Sequence, residues 1–276
     1  MVAKPQLTDA AKPATFEVEA YNERGEMVPT SIAGEHPLTL YLDKREIVTL
    51  MTLGHAPEAL AIGYLRNQRL ADSIDDIAAV QVDWETESVA ITTRSKKELP
   101  SLEKRTVTSG CGQGTVYGDL MAEIDSIQLR KDVTLTDADL FVLLEKVRRH
   151  ETIYKQAGAV HGCALATTAG EILMFVEDVG RHNAVDAIAG FMWLDAIDGS
   201  DKLFYTTGRL TSEMVIKCAQ MRIPFLVSRS GLTQMGYAIA QKVGITMLGR
   251  ASGRHYLAFT GKERLIRSAP QPTALA

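Results

Sequence analysis

Cys111 stands in Thr108-Ser109-Gly110-Cys111-Gly112-Gln113-Gly114-Thr115, a polar stretch with a glycine on each side of the thiol. Glycines permit turns closed to other residues and leave the sulfur uncrowded, so this spacing suits a reactive thiolate on a flexible loop. The other ordinary role of a free cysteine is that of a small buried hydrophobe. Cys163 and Cys218 fit that second role better, because Gly162-Cys163-Ala164-Leu165-Ala166 and Met214-Val215-Ile216-Lys217-Cys218-Ala219 are mainly apolar. Lys104 and Arg105 lie near Cys111 in sequence and would favour its thiolate if they also lie near it in space.

Polar junctions form the second chemical feature. Glu177-Asp178-Val179-Gly180-Arg181-His182-Asn183 concentrates carboxylates, a guanidinium, an imidazole and an amide where an apolar segment gives way to a helical pattern. Its structural reading makes Asn183 a cap and Glu177 with Arg181 an ion pair. Thr206-Thr207-Gly208-Arg209-Leu210-Thr211-Ser212-Glu213 offers hydroxyls and Arg209 before another helix, which suits a phosphate but also an ordinary helix start. Val227-Ser228-Arg229-Ser230-Gly231-Leu232-Thr233 repeats the arrangement, and Gly249-Arg250-Ala251-Ser252-Gly253-Arg254-His255 reads as a cationic, glycine-punctuated loop. Helix starts present free amides to anions, so these junctions together point to an extended phosphate-bearing ligand. None is a Walker loop or a G-x-G-x-x-G turn.

No metal site is expected. His161 is followed by Gly162 and Cys163, without the H-x-E and P-C-x-x-C arrangement of zinc deaminases. His161 is expected to start a strand or to touch the ligand. His36, His55 and His150 have no ligand spacing.

The elements that must position these residues fall into two groups. Strand patterns at Phe16 to Tyr21, Leu38 to Leu42, Ile47 to Thr52, Val80 to Trp84 and Ser88 to Thr93, with a helix from Ala56 to Arg69, predict a small α+β unit over 16–120. Thr136 is placed to cap a helix, with Asp139 at the capping-box position. From there strands at Ala164 to Thr168, Ile172 to Glu177, Lys202 to Thr206, Pro224 to Ser228 and Ile245 to Leu248 alternate with helices over about 183–195, 212–222 and 233–243. That rhythm predicts an α/β unit over 135–266 with a mixed, largely parallel sheet, closed by an edge strand from Tyr256 to Phe259. Ligands of such sheets sit beyond the carboxyl ends of the strands, where the polar junctions fall.

A chain of 276 residues, 46% apolar, has enough material for one large or two modest domains. A formal net charge of −4 argues against general nucleic-acid binding. Three cysteines without paired spacing form no disulfide framework, and no apolar run is long enough for a membrane span or a signal peptide. A cytoplasmic protein without membrane insertion is expected.

Glu35-His36-Pro37-Leu38-Thr39-Leu40, Ala59-Leu60-Ala61-Ile62-Gly63-Tyr64-Leu65, the loop around Cys111, Glu177 to Ala184, Thr207-Gly208-Arg209 and Ser228-Arg229-Ser230-Gly231 together resemble the FdhD/NarQ family of formate dehydrogenase accessory sulfurtransferases. The resemblance runs from about residue 16 to 265. It implies a homodimeric sulfur carrier that takes persulfide sulfur from a cysteine desulfurase. The carrier passes it to the molybdenum bis(molybdopterin guanine dinucleotide) cofactor before that cofactor enters formate dehydrogenase, and GDP would act as an analogue of the cofactor. It also implies a three-layer, cytidine-deaminase-like larger domain.

On the residues, the resemblance implies Cys111 as the persulfide carrier. The cofactor-binding set becomes His161, Arg181, His182, Asn183, Thr207, Gly208, Arg209, Ser228 and Ser230, with the late segment Leu248, Gly249, Arg250, Ala251, Ser252, Gly253 and Arg254. Two positions depart from the family pattern: Gly114 stands where a second loop cysteine is common, and Ala187 where a lysine would follow Asp186. One thiolate suffices to carry one sulfur. A cofactor-binding chaperone that moves no sulfur is the alternative function.

Overall fold

The computed structural model describes residues 3–95, 106–107, 114–115, 124, 127–150 and 152–267. Cys111 lies outside the described residues, as do Lys104 and Arg105, so the expectation of a reactive thiolate on a flexible loop falls there too. Short strands β8 (Thr106–Val107) and β9 (Gly114–Thr115) pair antiparallel on either side of 108–113.

The N-terminal part is a five-stranded sheet ordered β1-β6-β7-β4-β5, made of Gln6–Leu7, Ile77–Asp83, Ser88–Thr93, His36–Leu42 and Arg45–Thr52. Alternation makes one face of it: Leu38, Leu40 and Leu42 are fully buried along β4. Beside it runs a ribbon of β2 (Thr15–Tyr21) and β3 (Met27–Ala33). Helix α1 (Pro57–Asn67) starts on a proline, where a missing amide hydrogen costs nothing, and is buried almost all round.

The C-terminal part carries a six-stranded sheet ordered β12-β11-β13-β14-β15-β16, from Ile172–Asp178, His161–Thr167, Lys202–Thr206, Phe225–Ser228, Thr246–Ser252 and His255–Ala258. Only β13–β14 and β14–β15 are parallel; the other three pairings are antiparallel. The sheet is therefore mixed rather than largely parallel. Apolar strands buried on both faces read alike in either orientation, which is why their composition overstates the parallel share. Before this sheet in the chain come β10 (Leu135–Thr136), which pairs with the late β17 (Leu265–Ile266), and α2 (Asp137–Arg149), whose Asp139 amide is capped by the Thr136 hydroxyl at 3.1 Å. A short helix α3 (Ile153–Ala157) precedes β11.

Helices cover the six-stranded sheet on both faces. Leu140, Leu143 and Leu144 of α2 pack with Ala164, Leu203, Phe225 and Leu248 on one face. On the other, Cys163, Leu165, Phe204 and Leu226 meet α4 (Arg181–Leu194), α5 (Ser212–Gln220) and α6 (Gln234–Val243). The core on that face continues without a break into α1 and the five-stranded sheet.

Glycine makes the junction of the two parts possible. A Cβ on Gly63 would stand 1.6 Å from the Asp186 carbonyl oxygen, and one on Gly190 would stand 1.9 Å from that of Ala59. Helices α1 and α4 thus meet backbone to backbone, and α4 has no polar face because it is enclosed by α1 and the sheet. No helix among the described residues is long and apolar enough to cross a membrane.

Candidate functional site

Strand ends bring the polar junctions to one edge of the six-stranded sheet. Register places Cys163 beside Thr206 and Thr206 beside Ser228, so the turns that follow β13 and β14 lie next to each other, with His161 and Asp178 paired alongside. Hydroxyls then tie turn to turn. Thr207 Oγ1 accepts from the Gly162 amide at 3.1 Å and lies 3.3 Å from His161 Nδ1. Thr206 Oγ1 accepts from the Gly208 amide at 3.1 Å, and the Ser228 hydroxyl donates to the Gly208 carbonyl at 2.7 Å. Ser228 Oγ accepts from the Ser230 amide, and the Ser230 carbonyl accepts from the Arg250 amide at 2.9 Å. This lattice fixes the backbone of every turn while leaving Arg209 and Arg229 exposed.

Positive charge converges there. Burial, then Arg181, Arg229 and Arg209, hold the half-buried His161 below its ordinary pKa, so it is neutral near pH 7. Arg181 is buried, and its methylenes lie against Gly208, where a Cβ would come within 2.6 Å of them. A cavity of about 220 Å³ opens beside these turns, lined by Gly162, Thr207, Arg229, Ser252, Tyr205 and Tyr154. Arg229 stands over the Tyr154 ring at 5.2 Å. Backbone amides, hydroxyls, aromatic faces and exposed guanidinium groups suit a phosphate-bearing ligand with a ring system.

Not every residue expected at the ligand faces it. The Asn183 amide nitrogen donates to Met51 O at 2.7 Å and to Asp178 Oδ1 at 2.8 Å, and Gly180, not Asn183, is the N-cap of α4. Asp178 also accepts from the Thr52 hydroxyl at 2.5 Å and from the Leu53 and Gly180 amides, which locks the end of β5 to the start of α4. Glu177 does not pair with Arg181 as the structural alternative has it; it caps α3 through the Ile153 and Tyr154 amides at 2.6 and 3.0 Å. Leu248 is wholly in the core, and Gly249 is pressed by the Phe259 ring. The segment read as a loop is strand β15 as far as Ser252, with Arg250 in the left-handed region and a turn at Gly253-Arg254. Ala251 and Gly253 reach the cavity wall, while Arg254 stands over Phe141 of α2 instead.

His182 points inward. Its Nε2 lies 3.3 Å from Glu213, and burial pushes its pKa down to about 3 against the pull of Glu213. Glu213 neighbours Lys217, whose ammonium meets Asp186 at 2.8 Å, and Asp186 also accepts from Asn67 at 2.7 Å. A lysine therefore reaches Asp186 from α5, beside the buried Ala187. Tyr154 and Arg229 are, with Gly162 and Tyr205, among the cavity residues that the candidate set lacks. The glutamate-capped α3 that carries Tyr154 is too short for a periodic signal, while Arg229 sits inside a junction already singled out.

Cys163 and Cys218 are fully buried, and burial pushes Cys163 up to about 12 and Cys218 well above its ordinary range. Neither is a reactive thiolate at neutral pH.

Residues 33–266 match the FdhD/NarQ family. The chain belongs to that family. It is 30% identical over 263 residues to the sulfur carrier protein FdhD of Listeria innocua, covering 94% of this chain and 99% of that protein. It is 32% identical over 251 residues to the sulfur carrier protein FdhD of Sulfurisphaera tokodaii, covering 89% and 95%. Its fold is also similar to a crystal structure from Desulfotalea psychrophila, of a protein assigned as a formate dehydrogenase accessory protein. That match has a TM-score of 0.74 at 25% identity, over 92% of this chain and all of the other. The FdhD/NarQ match spans the six-stranded sheet, the five-stranded sheet apart from β1, and every junction of the candidate edge.

Proposed function

We propose that this protein is a sulfur carrier serving formate dehydrogenase, with Cys111 as the carrying residue. The observation that supports it most is the meeting of Arg181, Arg209, Arg229, His161 and the hydroxyl-braced turns at one sheet edge, in a chain of the FdhD/NarQ family. In this reading the Cys111 thiolate attacks the outer sulfur of a cysteine desulfurase persulfide. The desulfurase cysteine leaves as thiolate, and Cys111 becomes a persulfide. The acceptor is the molybdenum bis(molybdopterin guanine dinucleotide) cofactor, which is the substrate of this transfer. Its pyrophosphate and guanine portions suit the arginines and the Tyr154–Tyr205 cavity. The C-terminal unit, over 135–266, acts as a three-layer, cytidine-deaminase-like cofactor holder, the N-terminal unit over 16–120 carries the cysteine loop, and the working form is a homodimer in the cytoplasm.

Incubation with a cysteine desulfurase and sulfur-35 cysteine, followed by mass spectrometry of the labelled peptide, tests this. Label is expected on Cys111, and Cys111→Ser should lose both label and activation of formate dehydrogenase while still folding. Activation undiminished by Cys111→Ser defeats the assignment. Cofactor binding without label on any cysteine would favour the chaperone role, which Gly114 in place of a second thiol motivates.

A further inference from the structure

A second cavity, of about 780 Å³, lies at the far ends of α4 and α5 from the junctions, lined among others by Arg66, Arg69, Ile127, Trp193, Gln220 and Arg222. The 14 residues of α4 separate the two places by roughly 20 Å at the helical rise.

Three helices end at this cavity in the same way. The amides of Leu70, Ile197 and Ile223 reach back to the carbonyls of Leu65, Met192 and Cys218 at 2.9, 2.8 and 3.0 Å, closing α1, α4 and α5. Such a cap needs one residue in the left-handed region, where glycine is the unstrained choice. Helix α6 has that glycine, Gly244 at φ 76°, and its end does not line this cavity. The three helices that do converge on it carry Arg69 (φ 57°), Ala196 (φ 52°) and Arg222 (φ 61°) instead. The carboxyl ends of α1 and α5 favour these cations, as α1 also does Arg66 in its last turn.

Asp72 and Asp198 share the cavity lining with the arginines. Among the described residues no carboxylate oxygen comes within 4.0 Å of Arg66 or Arg222. Asp198 at the rim feels Arg222 and offsets part of its charge from a distance, while its oxygens accept from Ser200. Arg66 is fixed by one bond to the Ala189 carbonyl at 2.9 Å and by its place over the Trp193 ring at 5.3 Å. Burial and the neighbouring Arg222 push it down to about 10. In the same wall Gln220 Oε1 is buried without a hydrogen-bond partner among the described residues. Like charges held together beside an open volume gain most from a multiply charged anion.

We propose that this cavity binds a phosphate-bearing small molecule, its phosphate between Arg66 and Arg222 and its body against Trp193 and Ile127. The site is separate from the junction edge and does not depend on the sulfur-carrier reading. Calorimetry and thermal unfolding of the full chain with inorganic pyrophosphate test it, using Arg222→Gly and Ala196→Gly. Both variants relieve left-handed backbone and are expected to raise the unliganded melting temperature. Arg222→Gly should weaken pyrophosphate binding by roughly tenfold or more, with the ligand-induced melting shift reduced to match, and Ala196→Gly should leave binding as in the parent. Absence of pyrophosphate binding at millimolar concentration overturns the proposal. So does undiminished binding by Arg222→Gly, which would put the anion at the junction arginines. Labelling of Cys111 is unaffected by either result, so failure of this proposal is distinct from failure of the sulfur-carrier reading.

Discussion

The seam between α1 and α4 and the edge where the junctions meet join the same two parts of the chain by opposite means. At the seam Gly63 and Gly190 let backbone touch backbone, so shape alone sets the fit and nothing larger than hydrogen is admitted. At the edge the join is made by polar groups: Asp178 gathers donors from Thr52, Leu53, Gly180 and Asn183, while Asn183 reaches Met51. The seam is rigid because it is full. The edge is held by hydroxyls and amides that tie turn to turn, while Arg209 and Arg229 stay exposed to take a ligand. At the start of α4 polar groups make the join, and from Asp186 to Gly190 close backbone packing does.

The largest effect is expected at the seam. Gly63→Ala sets a methyl 1.6 Å from the Asp186 carbonyl, and since neither backbone has room to retreat, a loss of about 3 kcal/mol or more is expected in urea unfolding. A loss below about 1 kcal/mol would show that the helices separate easily and that the seam is not set by shape.

A pH-dependent effect is expected at the edge. His182 is held down to about 3 in the folded state by burial and ordinarily titrates near 6.5. The unfolded chain therefore binds the proton first. Stability from this group is complete above about pH 6.5 and is lost as pH falls toward 3, at up to about 1.4 kcal/mol per unit. His182→Gln should flatten the fall relative to the parent when urea midpoints are compared from pH 7 to 4. Parallel profiles would mean that folding leaves the pKa of His182 unshifted, with Glu213 offsetting the burial.

The smallest effect should fall on the exposed cation. Arg209→Ala is expected to weaken GDP binding by about 1.5 kcal/mol, near the low end for a charged hydrogen bond because the side chain is solvated, with folding unchanged. Equal affinity in calorimetry would remove Arg209 from the ligand and sharpen attention on Arg181 and Arg229.

Much of this was legible along the chain, for local reasons. Alternation in Leu38-Thr39-Leu40-Tyr41-Leu42 marks a half-buried strand, Pro57 marks a helix start, and apolar runs ending in Thr206-Thr207-Gly208 and Ser228-Arg229-Ser230 mark strand ends beyond which a ligand could sit. Strand β3 escaped because Pro29 and its polar neighbours break the pattern, as ribbon strands tolerate and central ones do not. The continuation of β15 through Ser252 escaped because Gly249 and Gly253 resemble loop punctuation; Gly249 in fact admits the Phe259 ring.

The sequence by itself determined the family and the identity of the elements, because residue type and short periodicity act over a few positions and survive without knowledge of the partner. It also set Cys163 and Cys218 among apolar neighbours, which is where the fold buries them. Only the tertiary structure decided which polar residues brace the protein and which remain open. Asn183 and Arg209 look equally suited to a ligand as letters, yet one meets Met51, 132 positions away, and the other stays exposed. Long-range contacts decide that difference, since a donor's availability depends on which acceptor the fold brings to it.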